Sequence, residues 1–165
     1  RGDVVNLIPR QRAGALIAAT GLANATEGRF AAVDVLSYAS TAAPQMIHVI
    51  GDASATTQPK AGHIANQEAK ICADAIVRLL SGGAPDPQPV ANSACYSPIT
   101  ASTASWLTAV YQYDPMDSKM KVAASGGQTL INGAPATATE AGSINSENFK
   151  DMGTWFKTLM ADTTG

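Results

Sequence analysis

Apolar residues recur at helical spacing between positions 62 and 80, where Ile64, Ala65, Ile71, Cys72, Ala75, Ile76, Leu79 and Leu80 share one side. Asp74 and Arg78 add a favourable pair one turn apart, so the pattern predicts a helix over 62–80. Gly82-Gly83 supplies its stop, and Pro85, Pro87 and Pro89 then impose an extended linker poor in backbone donors. The main boundary of the chain is expected there, dividing it into residues 1–83 and 84–165. Beyond the linker, 106–113 alternates: Thr108, Val110 and Gln112 take one face, and Leu107, Ala109, Tyr111 and Tyr113 the other. Asp114-Pro115 ends that strand, and 119–123 is expected to return as its hairpin partner. A last helix is predicted over 147–160, capped by Asn145 or Ser146, with Phe149, Met152, Trp155, Phe156 and Leu159 on one side.

The first third is less regular. Breakers at Pro9, Gly14, Gly21 and Gly28 leave room for an extended start at 4–8 and a short helix near 11–20. Residues 33–38 alternate as a short strand would. The β-branched apolar run at 46–50, stopped by Gly51-Asp52, reads as a buried strand ending in a turn. Residues 126–142, rich in Gly, Ala and Thr, are expected to be irregular. No internal repeat is found. The fold class is therefore α+β.

Composition narrows the roles. With 45% hydrophobic and 15% charged residues over 165 positions, the surface must be covered largely by Ser, Thr, Asn, Gln and Gly. A net charge of −2 with scattered basic residues offers no footprint for nucleic acid or anionic lipid. No apolar run approaches the roughly 20 residues that cross a bilayer, so membrane insertion is not expected. The start at Arg1 has neither methionine nor a signal-peptide core and is expected to be a cut from a longer chain. Cys72 and Cys95 are too few for a disulfide scaffold, and His48 and His63 lack the spacing of a metal pair. Cys72, on the apolar stripe of the 62–80 helix, reads as core packing.

Candidate chemistry gathers around the turn between 46–50 and that helix. A strand delivering Asp52 at its carboxyl end places an acceptor in the crevice where α/β folds bind ligands. The helix start that follows offers unpaired N–H groups to an electron-rich edge. Together these suit a ribityl hydroxyl on Asp52, after Gly51, and a flavin pyrimidine edge over Lys60, Ala61, Gly62 and His63; the alternative is a plain turn. Lys60 is either a stabiliser of negative charge on reduced flavin or an ordinary solvated lysine.

The series Ile47-His48-Val49-Ile50-Gly51-Asp52-Ala53, then Pro59-Lys60, Ala65-Asn66 and Ala69-Lys70, resembles the second FAD-binding motif of the flavoprotein subunit of flavocytochrome c sulfide dehydrogenase. The likeness runs upstream through Gly2-Asp3-Val4-Val5-Asn6-Leu7-Ile8-Pro9 and downstream through Ala94-Cys95-Tyr96-Ser97 to Ala109-Val110-Tyr111. It thins over 113–148 and returns at Thr154-Trp155-Phe156. The resemblance implies that 1–83 is the returning part of a FAD-binding α/β domain and that 84–165 is a C-terminal β-hairpin and helix interface domain. The family's glycine-rich first FAD motif and its middle domain have no counterpart here, so the ADP half of FAD is expected to be held by a missing N-terminal part of the same protein. Cys95 matches a family cysteine of a redox-active disulfide whose partner comes from that missing region, and Trp155 matches a tryptophan near the flavin.

The implied activity is oxidation of sulfide through Cys95 to FAD, with electrons leaving singly to the haem of a cytochrome c subunit in the periplasm; the isolated chain is expected to be inactive. The segment Ser54-Ala55-Thr56-Thr57-Gln58 departs from the family's flavin-contact pattern, which leaves a different sulfur substrate open. Two alternatives stand. One is a fragment of a related flavin enzyme such as sulfide:quinone oxidoreductase or an NADH dehydrogenase, expected to end in a membrane-binding helix. The terminal polar face Glu147, Lys150, Asp151 and Lys157 lacks the basic excess for that. The other is a non-catalytic interaction domain.

Overall fold

The helix read from spacing forms over Gly62–Leu80 (α2) and buries Ile64, Glu68, Cys72 and Ala75. Its stop is the expected glycine pair: Gly82 has φ +78°, and the amides of Gly82 and Gly83 donate to the carbonyls of Leu79 and Arg78 at 3.0 and 2.9 Å. Arg78 Nε meets Asp74 Oδ2 at 2.6 Å. The computed structural model describes residues 3–43, 47–126, 130–131, 134–135 and 144–165. Before α2 come α1 (Ala15–Ala19), the two-residue strands β1 (Val33–Asp34) and β2 (Ala39–Ser40), and a 3₁₀ turn at Gly51–Ala53. After it come β3 (Val90–Pro98), β4 (Ala104–Asp114), β5 (Lys119–Gly126), the short hairpin β6 (Leu130–Ile131) and β7 (Ala134–Pro135), and α3 (Ser146–Thr164).

Strands β3, β4 and β5 form an antiparallel meander, with Ala91 opposite Tyr111, Tyr113 opposite Met120, and a bulge between Val110 and Tyr111. The face carrying Ala91, Ala109, Tyr111, Tyr113 and Met120 packs on Ile64, Ile71 and Val35. This core draws residues from both sides of position 83. The fold is thus α+β, a helix laid on an antiparallel sheet, rather than a parallel βαβ layer. Helix α3 starts at a capping Asn145, whose Oδ1 accepts the Asn148 N–H at 2.7 Å. Its far end is tied to α2 by Asn66 Nδ2 donating to Thr163 Oγ1 at 3.1 Å and by the Lys70–Asp162 ion pair. Among the described residues no helix is long and apolar enough to cross a membrane.

Several expectations need correction. Strand β3 is not legible in the sequence, because its buried positions are Ala91 and Ser93, too small and too polar to show apolar alternation. The strand expected at 33–38 stops after two residues. Asp34 accepts the N–H of Leu36 and the hydroxyl of Ser37, and Tyr38 turns into the left-handed region with φ +58°. Residues 4–8 form no strand and lie exposed. The buried strand expected at 46–50 is also absent: Met46 lies outside the described residues, and 47–50 holds one bridge, Ala39 to His48, with Val49 alone buried. A run pairs as a strand only where a neighbour runs alongside it in register, and β2, two residues long, is its one partner among the described residues. The helix expected over 11–20 shortens to α1 because the chain is still extended at Gly14, whereas the last helix runs on to Thr164. Most of 126–142 lies outside the described residues. Within α3, Phe149, Met152, Trp155 and Leu159 are half-buried, but Phe156 is 55% exposed.

Candidate functional site

The turn leading into α2 is built around a close approach. Gly51 sits at φ +65°, and a Cβ there would stand 3.2 Å from Cβ of Ala65, so a side chain would both strain the backbone and crowd the helix. Its N–H donates at 2.5 Å to Oε2 of Glu68, which lies one turn beyond Ile64 and is 1% exposed. The Thr56 hydroxyl donates to the other Glu68 oxygen at 3.4 Å. Burial pushes the Glu68 carboxyl up; the bonds from Gly51 and Thr56 and the charge of Lys60 oppose that push, and Asp52 adds to it.

Asp52 is exposed, and its carboxylate accepts no hydrogen bond among the described residues. The backbone beneath it is fixed by Lys60, whose Nζ donates to the carbonyls of Asp52 and Ser54 at 2.8 and 2.7 Å and lies 4.2 Å from the centre of the Phe30 ring. Burial lowers the Lys60 ammonium, against the pull of Asp52 and Glu68. Lys60 therefore has two of its three donors directed into the loop. Gln11, Arg12, Phe30, Asp52 and Lys60 line a cleft of about 320 Å³. At the start of α2 no side chain caps the helix, and nothing stands within 4 Å of where a Gly62 Cβ would be. The first-turn N–H groups, from Gly62 onward after Ala61, are left without an intrahelical partner.

On its other side α2 meets the sheet through His63. Among the described residues strand β3 pairs with β4 alone, so alternate amides of β3 point outward from the sheet. The Ala94 N–H donates at 2.9 Å to Nδ1 of His63. A ring nitrogen that accepts carries no proton, so the imidazole here is neutral with its hydrogen on Nε2. Burial lowers His63, with Lys70 acting in the same direction and the Ala94 backbone contact and Asp162 against it. The Trp155 ring meets His63 edge-on at 5.9 Å between centroids and lies 5.5 Å from Tyr96 in a tilted arrangement. Trp155 Nε1 is buried without a hydrogen-bond partner among the described residues.

The residues singled out in the sequence thus fall into two joined groups. Gly51, Asp52, Lys60, Ala61 and Gly62 form the turn and helix start. Cys95 lies between Ala94, bonded to His63, and Tyr96, packed on Trp155. Strand alternation puts Cys95 on the face of Ala91 and Ser93 and Tyr96 on the opposite face, so Trp155 reaches the edge of β3 rather than the side of Cys95. Both thiols are free: Cys95 is half-buried, while Cys72 is buried on α2 and burial pushes its thiol up. Sequence reasoning missed Glu68 and the backbone-capping role of His63. Glu68 had a readable signal, a charge four residues from both Ile64 and Cys72 on the apolar stripe; the role of His63 required knowing that β3 exists. No protein-family model matches the chain.

The burial of His63 predicts a pH dependence. Folding lowers this imidazole below its unfolded value near 6.5, so the native state binds fewer protons there. Its contribution to stability is complete above pH ~6.5 and is lost as pH falls through the folded value. In urea unfolding at pH 7.5 and 5, the wild-type midpoint should fall by more than that of His63→Gln, whose amide oxygen accepts from Ala94 at both pH values. Equal falls would contradict the assignment.

Proposed function

We propose that this chain is the C-terminal part of an FAD-dependent sulfide:cytochrome c oxidoreductase of the periplasm, carrying half of the FAD site. In this reading, 1–83 completes a FAD-binding domain and 84–165 is the interface domain. The observation that carries the reading is the free carboxylate of Asp52 beside the uncapped first turn of α2, with Cys95 on the strand that His63 fastens to that same turn. The residues fit the flavin end of FAD. Asp52 accepts a ribityl hydroxyl, the first-turn amides donate to a carbonyl edge, and Gly62, without a side chain, leaves room for close approach. Lys60 serves the site by shaping the Asp52–Ser54 backbone, where two of its three donors are committed.

FAD, when bound, supplies a two-electron acceptor that can release electrons one at a time. The chain contributes the rest on this side. Cys95 provides the sulfur nucleophile and leaving group once its thiol is ionised. Tyr96, Trp155 and His63 pack together at the edge of β3 and hold the strand that carries Cys95 against α2. The second cysteine, the ADP half-site and the cytochrome c subunit lie outside these residues in this reading.

Two spectra test the binding claim. The purified chain should show no stoichiometric flavin absorbance after dialysis, because a half-site leaves most of the cost of ordering the cofactor unmet. Joined to the part that completes the site, it should retain FAD, and Asp52→Ala should weaken binding by about 1.5–3 kcal/mol, roughly tenfold to a hundredfold in Kd. Tight FAD in the isolated chain, or an unchanged Kd in the variant, would contradict the reading.

A further inference from the structure

Among the buried side chains of the described residues, Glu68 is the one with a net charge to hide, and the mechanism above makes no use of it. A carboxylate removed from water is costly unless hydrogen bonds replace its hydration, and an apolar residue at this point on the α2 stripe would pack at no such cost. The bonds Glu68 finds are those from Gly51 N–H and the Thr56 hydroxyl, both in the loop that presents Asp52. The rest of that loop is fastened independently. Ala31 donates to the Ala53 carbonyl and accepts from the Ala55 amide, at 3.0 and 2.7 Å. Gln58 Oε1 accepts from the Tyr38 hydroxyl at 3.0 Å, and the Thr57 hydroxyl donates to the Met120 carbonyl. The carbonyls of Gly51 and Asp52 are held as well, by Ser54 N–H and hydroxyl at 3.0 and 2.8 Å and by Lys60 at 2.8 Å, so release of Glu68 frees the Gly51 amide and the Thr56 hydroxyl while the rest of the loop stays in place.

We propose that Glu68 is the positioning residue for Asp52: its carboxylate grips the Gly51 amide, and a proton arriving on that carboxylate slackens the turn from which Asp52 projects. The charged and titratable groups facing it are Lys60 and Asp52 from the loop, Tyr38 from the segment between β1 and β2, and Cys72 one turn further along α2. Burial outweighs Lys60 and the two loop bonds, which places the proton uptake above the ordinary glutamate range. The inference concerns the chain itself and holds whether or not flavin is the ligand.

The test is an NMR titration of the chain, following the Gly51 amide and the Glu68 side-chain carboxyl together. In wild type the Gly51 amide should titrate with the same midpoint as the Glu68 carbon. Its exchange protection should fall about threefold to tenfold on the acid side, as a charge-assisted bond becomes a neutral one to the carbonyl of the protonated carboxyl, while the Ala31 and Ala55 amides stay unchanged. Glu68→Gln keeps an acceptor for Gly51 but cannot titrate, so the pH response of Gly51 should vanish. A role in packing alone would leave the Gly51 amide flat with pH in wild type. A flat response, different midpoints for Gly51 and Glu68, or an undiminished response in Glu68→Gln would each overturn the proposal. The comparison of midpoints needs wild-type protein only and stands even if the variant fails to fold.

Discussion

In the flavoprotein proposed above, Cys95→Ser should lower sulfide oxidation by a factor on the order of 10⁴ or more, the scale seen when a covalent nucleophile is removed, while FAD stays bound. A serine hydroxyl is not ionised at working pH and is a poor leaving group, so the substitution removes the sulfur exchange and little else. Cys95 pairs with Leu107 in the ladder between β3 and β4, and serine preserves every backbone bond of that pair. The flavin contacts proposed for Asp52 and the first turn of α2 are untouched. The control is Cys72→Ser, at a buried thiol on the apolar stripe of α2, which should keep its turnover if the protein folds. Steady-state turnover with the flavin spectrum of the same samples checks both. Wild-type turnover in Cys95→Ser would remove the residue from the mechanism.

The largest effect on stability should come from Ile64→Ala. Ile64 is 1% exposed and stands where residues from both halves of the chain meet: Val35 before it, and Ala91, Tyr111 and Met120 after it. Truncation leaves a cavity that helix and sheet cannot both close, at a cost of about 2–5 kcal/mol. That is a large share of the roughly 5–15 kcal/mol that stabilises a typical domain. Phe156→Ala removes a larger side chain from a position 55% exposed and should cost well under half as much. Urea unfolding of both variants gives the comparison. A loss below ~1 kcal/mol for Ile64→Ala would mean that α2 and the sheet do not share one core.

Legibility followed the size of the buried side chains. Helix α2 was readable to the residue because Ile64, Ile71, Cys72 and Ala75 stand out against polar neighbours, and the glycine pair after it has one structural use. The β4–β5 hairpin was readable because Tyr111 and Met120 are bulky and the turn at Asp114-Pro115 is explicit. Strand β3 was not, since Ala91 and Ser93 bury as completely as large residues without marking a period. The run at 46–50 misleads for the opposite reason: strong β-formers need a neighbouring strand to pair with, and sequence shows the formers but not the partner. At the site, the turn Gly51-Asp52 and the uncapped helix start were where spacing put them. What spacing did not convey was direction, with Lys60 folded back onto its own loop, Cys95 and Tyr96 on opposite faces of one strand, and Glu68 buried beneath the turn.

The claim that this chain completes a flavin-dependent sulfur site is tested most directly by an anaerobic titration of the complete polypeptide with sulfide, following the flavin absorbance. The account predicts that the protein carries FAD and that its oxidised band is lost in proportion to added sulfide, in wild type but not in Cys95→Ser. Protein purified without flavin, or a flavin that stays oxidised in excess sulfide, would contradict it.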